Sequence, residues 1–125
     1  MVDRFPWPGE LERQVMQLIW AHAPITSESV RMRLDRRLKE STVRTVLRRL
    51  EEKGFVTHGI DGRTFVFRAV EDRQNMAARG IRRIADSFYG GSIEDLIVGI
   101  VDAKMLDRKH LEELSKRLKK RIRRE

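Results

Sequence analysis

Arginine and short hydroxyl side chains gather on one stretch of this sequence. Between Arg31 and Arg49 stand eight basic residues against two acids, Asp35 and Glu40. Within it, Ser41, Thr42, Arg44, Thr45, Arg48 and Arg49 fall at helical spacing away from an apolar stripe of Val43, Val46, Leu47 and Leu50. A guanidinium fork fits guanine O6/N7 or a phosphate, and a Thr methyl suits the thymine methyl. Residue type alone leaves base and phosphate contact open at each position. An ordinary solvated face mixes signs, so the one-sided cluster points to a polyanionic partner. Arg63, at a predicted hairpin tip Asp61-Gly62-Arg63, is a candidate for phosphate or minor-groove contact, with His58 and Arg68 nearby. Arg4, ahead of the first helix, is a further basic candidate.

Other chemistry is poorly served. The three histidines, His22, His58 and His110, are scattered, so no metal site is expected. Without cysteine, disulfide scaffolds, thiolate metal sites and thiol catalysis drop out. There is no glycine-rich phosphate loop and no Ser/His/Asp spacing. Neither a cofactor nor an enzymatic activity is expected. The 125 residues carry 27 Lys and Arg against 19 Asp and Glu, a net charge of +8, with a pI near 10.6. No apolar run approaches the roughly 18 residues of a membrane span, and the first ten residues lack a signal-peptide core. A cytoplasmic protein with no membrane partner is expected.

The elements that position these residues follow from periodicity. Leu11, Val15, Leu18 and Ile19 predict a helix over Glu10 to His22, ended by Ala23-Pro24 because the residue before proline resists the α region. Thr26 or Ser27 caps a second helix with Val30 and Leu34 inward. A third helix runs from about Glu40 to Lys53, with Gly54 where a terminating glycine belongs. The period then changes to two. Phe55 to Ile60 and Arg63 to Val70 read as strands around Asp61-Gly62, a strong hairpin signal. Three helices closed by a hairpin, over 1–70, describe a winged helix-turn-helix, mainly α with a small β wing.

Residues 71–125 read as helical. A helix from Glu71 to Phe88 is broken by Tyr89-Gly90-Gly91 and followed by a short apolar segment from Ile93 to Val101. A final helix spans about Asp107 to Arg124, with a basic end running from Lys116 to Arg124. The stripes formed by Ile81, Ile84, Phe88, Leu96, Ile97, Ile100, Leu111, Leu114 and Leu118 exceed what so short a region can cover by itself. A second copy is the simplest cover, so a homodimer is expected, with packing inside the chain as the alternative. The basic end reads as a solvated helix terminus that can pair with neighbouring acids.

The stretches ERQVMQLIW (Glu12 to Trp20), STVRTVLRRLEEKGFV (Ser41 to Val56), FVF (Phe65 to Phe67), FYGG (Phe88 to Gly91) and LEEL (Leu111 to Leu114) occur in that order. Together they resemble the penicillinase-repressor family of bacterial transcription regulators, also called BlaI/MecI/CopY. The resemblance implies a homodimeric repressor with an N-terminal winged helix and a three-helix C-terminal dimerisation region. It implies binding to an inverted-repeat operator in double-stranded DNA, with contacts at Ser41, Thr42, Arg44, Thr45 and Arg49. Family members often carry Lys where this chain has Ser41. In antibiotic-responsive members a sensor-linked protease cuts an Asn-Phe bond. The corresponding bond here is Gly99-Ile100, so a sensor protease is not an expected partner. The cysteine cluster of copper-responsive members is absent, which excludes thiolate copper sensing.

The function expected from the sequence is thus sequence-specific repression by a DNA-binding homodimer. A nonspecific nucleoid-associated or RNA-binding basic protein is the alternative, and an interaction adaptor without DNA binding is a third.

Overall fold

A computed structural model describes residues 5–124. In chain order these form α1 (Glu10–His22), α2 (Ser27–Arg33), α3 (Glu40–Glu52), β1 (Val56–Asp61), β2 (Thr64–Ala69), α4 (Arg73–Phe88), α5 (Ile93–Asp102) and α6 (Arg108–Arg123). Two compact units result, the first ending at Gly80 and the second beginning at Ile81.

The first unit is built around α3. Val43, Val46, Leu47 and Leu50 are its buried residues, packed with Val15, Met16 and Ile19 of α1 and Val30 of α2. Burying one such side chain stabilises by about 1.5–3 kcal/mol. The four together therefore outweigh the lower helix propensity of Ser41, Thr42, Val43, Thr45 and Val46, and the Glu, Arg and Leu residues of the segment favour the helix outright. The helix ends in a Schellman motif. Gly54, at φ 84°, donates to the Glu51 carbonyl at 3.0 Å, and Phe55 donates to the Leu50 carbonyl at 2.9 Å. Phe55 and Leu50 are both buried, which supplies the hydrophobic contact of that motif.

Local signals set the other boundaries. Thr26 accepts from the Ser29 N–H at 3.1 Å and opens α2. Ala23 is extended at ψ 144°, as a residue before proline must be, and α1 stops there. The hairpin registers Ile60 against Phe65 and Asp61 against Thr64. Its two-residue turn is therefore Gly62-Arg63, one residue later than the Asp61-Gly62 expected. Gly62 sits at φ 66° in the first central position, where a type II′ turn demands glycine. Ile25 adds a bridge to Phe67, exchanging hydrogen bonds of 3.1 and 2.8 Å.

The first unit extends past the boundary drawn at 70. Met76 of α4 joins the core, the Trp7 ring lies against Gly80, and the Trp20 indole N–H donates to the Glu71 carbonyl at 3.1 Å. The fourth helix begins at Arg73 instead of Glu71 because Asp72 accepts from the Asn75 N–H at 2.7 Å.

In the second unit, Ser92 caps α5 by accepting from Asp95 at 3.0 Å, and Asp107 caps α6 by accepting from His110 at 2.8 Å. The Ala85 carbonyl accepts from both Tyr89 and Gly91, closing α4. Arg82 donates to the Gly91 carbonyl at 2.8 Å and steadies the turn. Neither α5 nor α6 has a buried residue.

One ion pair fastens α3 to α1. The Lys53 ammonium donates to Glu12 Oε1 at 2.9 Å and to the Trp7 carbonyl at 3.2 Å. Burial acts to raise the Glu12 carboxyl. Hydrogen bonds from Lys53 and the Gly9 N–H, with the charges of Lys53 and Arg49, outweigh it and hold the carboxyl below its ordinary 4.5. The folded state therefore favours ionised Glu12, and this stabilisation is present above pH 4.5 and is lost as pH falls through the lower folded value. Glu12→Gln is expected to destabilise the chain by about 1–2 kcal/mol at pH 7. In urea unfolding at stepped pH, the gap from the unaltered chain should narrow on acidification; a constant gap would contradict the assignment.

Candidate nucleic-acid interface

Burial of one stripe of α3 turns the rest of the helix outward. Ser41, Arg44, Arg48 and Arg49 are exposed, and Thr42 and Thr45 are half-buried at the flanks. The Thr45 hydroxyl donates to the Ser41 carbonyl at 2.9 Å. Its proton is thus used within the helix, while its lone pairs and methyl remain for a ligand.

Arg44 and Arg48 are held by neighbours on their own helix. The Arg44 guanidinium lies 2.8 Å from Glu40 and Arg48 lies 3.8 Å from Glu52, each pair spaced i, i+4. These side chains are 50–70% exposed, and such pairs contribute only about 0–1 kcal/mol. An arginine contact to a base or phosphate in a dry interface is worth more, about 1–3 kcal/mol. The carboxylates orient the guanidinium groups without locking them.

Arg44, Arg48 and Arg63 meet around a single open depression of about 840 Å³ between the start of α2, α3 and the hairpin. Ser41, Thr42, Thr45 and Arg49 lie outside its lining, on the remainder of the outward face of α3. Arg63 is legible from the sequence as a wing-tip cation, whereas the space it shares with α3 is not. Two features of the wing were likewise not expected from the sequence. His58 Nδ1 stands 2.6 Å from Glu51 Oε1, tying β1 to α3. The His58 ring stacks on Phe65, with centroids 4.6 Å apart and planes at 22°. Phe65 and its cross-strand partner Ile60 are exposed. Period two puts both on the face of buried Val56 and Phe67, and that was the available signal.

The nine apolar residues expected at a dimer seam fall into two groups in the second unit. Ile81, Ile84, Phe88, Ile97 and Leu118 are exposed, with Phe88 at 78%. Leu96, Ile100, Leu111 and Leu114 are partly covered. Val98, Val101, Met105 and Ile122 are exposed as well. The basic end of α6 is exposed, and among the described residues its cations from Lys116 to Arg124 pair with no acid within 4 Å. The pairing with neighbouring acids expected from the sequence is not seen. Arg4 lies outside the described residues.

The histidines are dispersed. His22 faces Arg33 at 3.4 Å, and His110 lies 3.0 Å from Asp107. Among the described residues no cluster of three His, Cys, Asp or Glu could hold a metal ion. No described helix is long and apolar enough to cross a membrane.

Because the Glu40–Arg44 pair is exposed, Glu40→Gln should leave thermal stability within about 0.5 kcal/mol of the unaltered chain. A larger loss in a calorimetric melt would show that Arg44 is held in place by structure and is not free to turn to a ligand.

The family profile described as penicillinase repressor matches residues 8–120. The chain is 26% identical over 115 residues to the penicillinase repressor of Bacillus licheniformis, covering 90% of each. It is 27% identical over 114 residues to the methicillin resistance regulatory protein MecI of Staphylococcus aureus, covering 88% of this chain and 91% of that one. The solution structure of the DNA-binding domain of the repressor BlaI superposes with a TM-score of 0.51 at 30% identity. That likeness covers 59% of this chain and 93% of the other.

Proposed function

The chain belongs to the penicillinase repressor family, and from that premise we propose that it is a sequence-specific DNA-binding repressor of transcription. It works as a homodimer on an inverted-repeat operator in double-stranded DNA. The observation that carries this reading is the division of α3 into a buried aliphatic stripe and an outward face of arginines and hydroxyls. That face suits the major groove, which admits one α-helix. Arg44, Arg48 and Arg49 supply guanidinium donors. Ser41, Thr42 and Thr45 supply short hydroxyls that let the helix approach closely. Arg63 at the wing tip adds a cation against the backbone or minor groove. The matching BlaI fragment is a DNA-binding domain, which supports the same assignment for the first unit.

The exposed residues Ile81, Ile84, Phe88, Ile97 and Leu118 support pairing with a second copy, whose matching stripe would remove them from water. Leu96, Ile100, Leu111 and Leu114, partly covered already, form the floor of that seam. Two α3 helices about 34 Å apart would read two half-sites one turn apart. Occupied operator DNA then excludes polymerase, with no catalytic step. The Gly99-Ile100 bond lies inside α5, and the Tyr89 ring rests on Gly99. The bond lacks the Asn-Phe pair cut in the antibiotic-responsive members, so relief by cutting it is not part of the reading.

The cations of α6, which pair with no acid among the described residues, favour one second reading, nonspecific binding of DNA or RNA. Selection of bound fragments from genomic DNA separates the two. A repressor should enrich one inverted repeat and prefer it over scrambled duplex by about 10³-fold or more; equal binding to both at matched salt would leave only the nonspecific reading. On the selected fragment, Arg44→Ala and Arg49→Ala should each weaken binding by about 1–3 kcal/mol. Unchanged titrations for both would remove α3 as the reader. Phe88→Asp, at an exposed position, should shift sedimentation from dimer to monomer without loss of helicity; a persistent dimer would place the seam elsewhere.

A further inference from the structure

The strand register makes Ile60 and Phe65 direct partners on the face that carries Val56 and Phe67. Toward the hairpin base that face is buried, with Val56 at 2% and Phe67 at 8% exposure. Toward the tip it runs beyond the core, leaving Ile60 66% and Phe65 51% exposed. A hairpin tip with only water to meet gains nothing from two large apolar side chains there. The phenyl ring is nevertheless braced. His58 stacks on it, and Glu51 of α3 holds His58 at 2.6 Å. Phe65 also lines the depression into which Arg44, Arg48 and Arg63 reach, with its cross-strand partner Ile60 beside it but outside that lining.

We propose that Ile60 and Phe65 form an apolar rest for the deoxyribose edge of the DNA strand seated between α3 and the wing. The proposal rests on the DNA-binding reading above and adds a contact that charge does not supply. A nucleic-acid strand alternates phosphates with the C–H faces of sugars. The depression is lined by both kinds of partner, guanidinium groups and a phenyl ring. A folded protein or second copy on this face would bury three arginines. Of the three acids lining the same space, Glu40 already engages Arg44 and Glu51 engages His58, which leaves Glu28 against Arg48 and Arg63. Uncompensated burial of charge is strongly unfavourable, so this occupant is disfavoured. A sugar-phosphate strand brings its own counter-charge.

The test uses the full chain and a fluorescently labelled genomic fragment that the unaltered protein retains. Phe65→Ser, Ile60→Ser, Phe65→Leu and Arg63→Ala are titrated at several salt concentrations, with circular dichroism melts to establish folding. Each serine variant should lose about tenfold in affinity from lost apolar contact, while Phe65→Leu stays within about threefold. The slope of log K against log salt should not change for the serine variants. Arg63→Ala should lower that slope by about 0.9, the mark of one phosphate contact. Full affinity in folded Phe65→Ser and Ile60→Ser would overturn the apolar rest while leaving DNA binding intact. A changed salt slope in them would assign the loss to displaced cations and also overturn it. Failure of the unaltered chain to bind any duplex would overturn the DNA-binding reading itself, and this one with it.

Discussion

Burial of the aliphatic stripe of α3 is the constraint on which the rest of the first unit depends. Val43, Val46, Leu47 and Leu50 reach the core only if the helix lies in one rotational setting. That setting fixes which residues face away, and they are the arginines and hydroxyls. Core packing and ligand presentation are thus one decision made by one helix. A substitution that rolled α3 would expose apolar surface worth several kcal/mol and misdirect every polar contact together. The Lys53–Glu12 pair and the Schellman turn at Gly54 hold the same helix at its far end.

Electrostatics acts on a smaller scale and with a different purpose. The Glu40–Arg44 and Arg48–Glu52 pairs are exposed and weak, so they cannot anchor the fold. They instead keep guanidinium groups close to the helix until a stronger acceptor arrives. The net charge of +8 then adds long-range attraction for a polyanion, which salt screens.

What the sequence could reveal follows the range of the interactions involved. The limits of α1 and α3 are local matters of 3.6-residue periodicity, a proline and a glycine, and they were readable to within a residue. Local spacing puts the hairpin turn one residue early because Asp61-Gly62 imitates a turn pair, whereas cross-strand registration puts Gly62 at the first central position. The bridge from Ile25 to Phe67, the seat of Trp7 on Gly80 and the entry of Met76 into the core are long-range contacts with no periodic trace. At the interface, the outward face of α3 was readable from spacing. The link from Glu51 to His58 was not, since it depends on how the strand leaves the helix.

That departure is short. Phe55 alone separates the Gly54 turn from β1; its N–H closes the helix on Leu50 and its carbonyl accepts from Val70 at the hairpin base, at 3.0 Å. Helix and wing are therefore joined like the two jaws of a caliper, through one residue bonded to both. Diversification on such a tool proceeds by refacing the jaws, through residues such as Ser41, Arg44, Ile60 and Arg63. An inserted residue at the joint would alter the gauge itself and misdirect the contacts of both jaws at once.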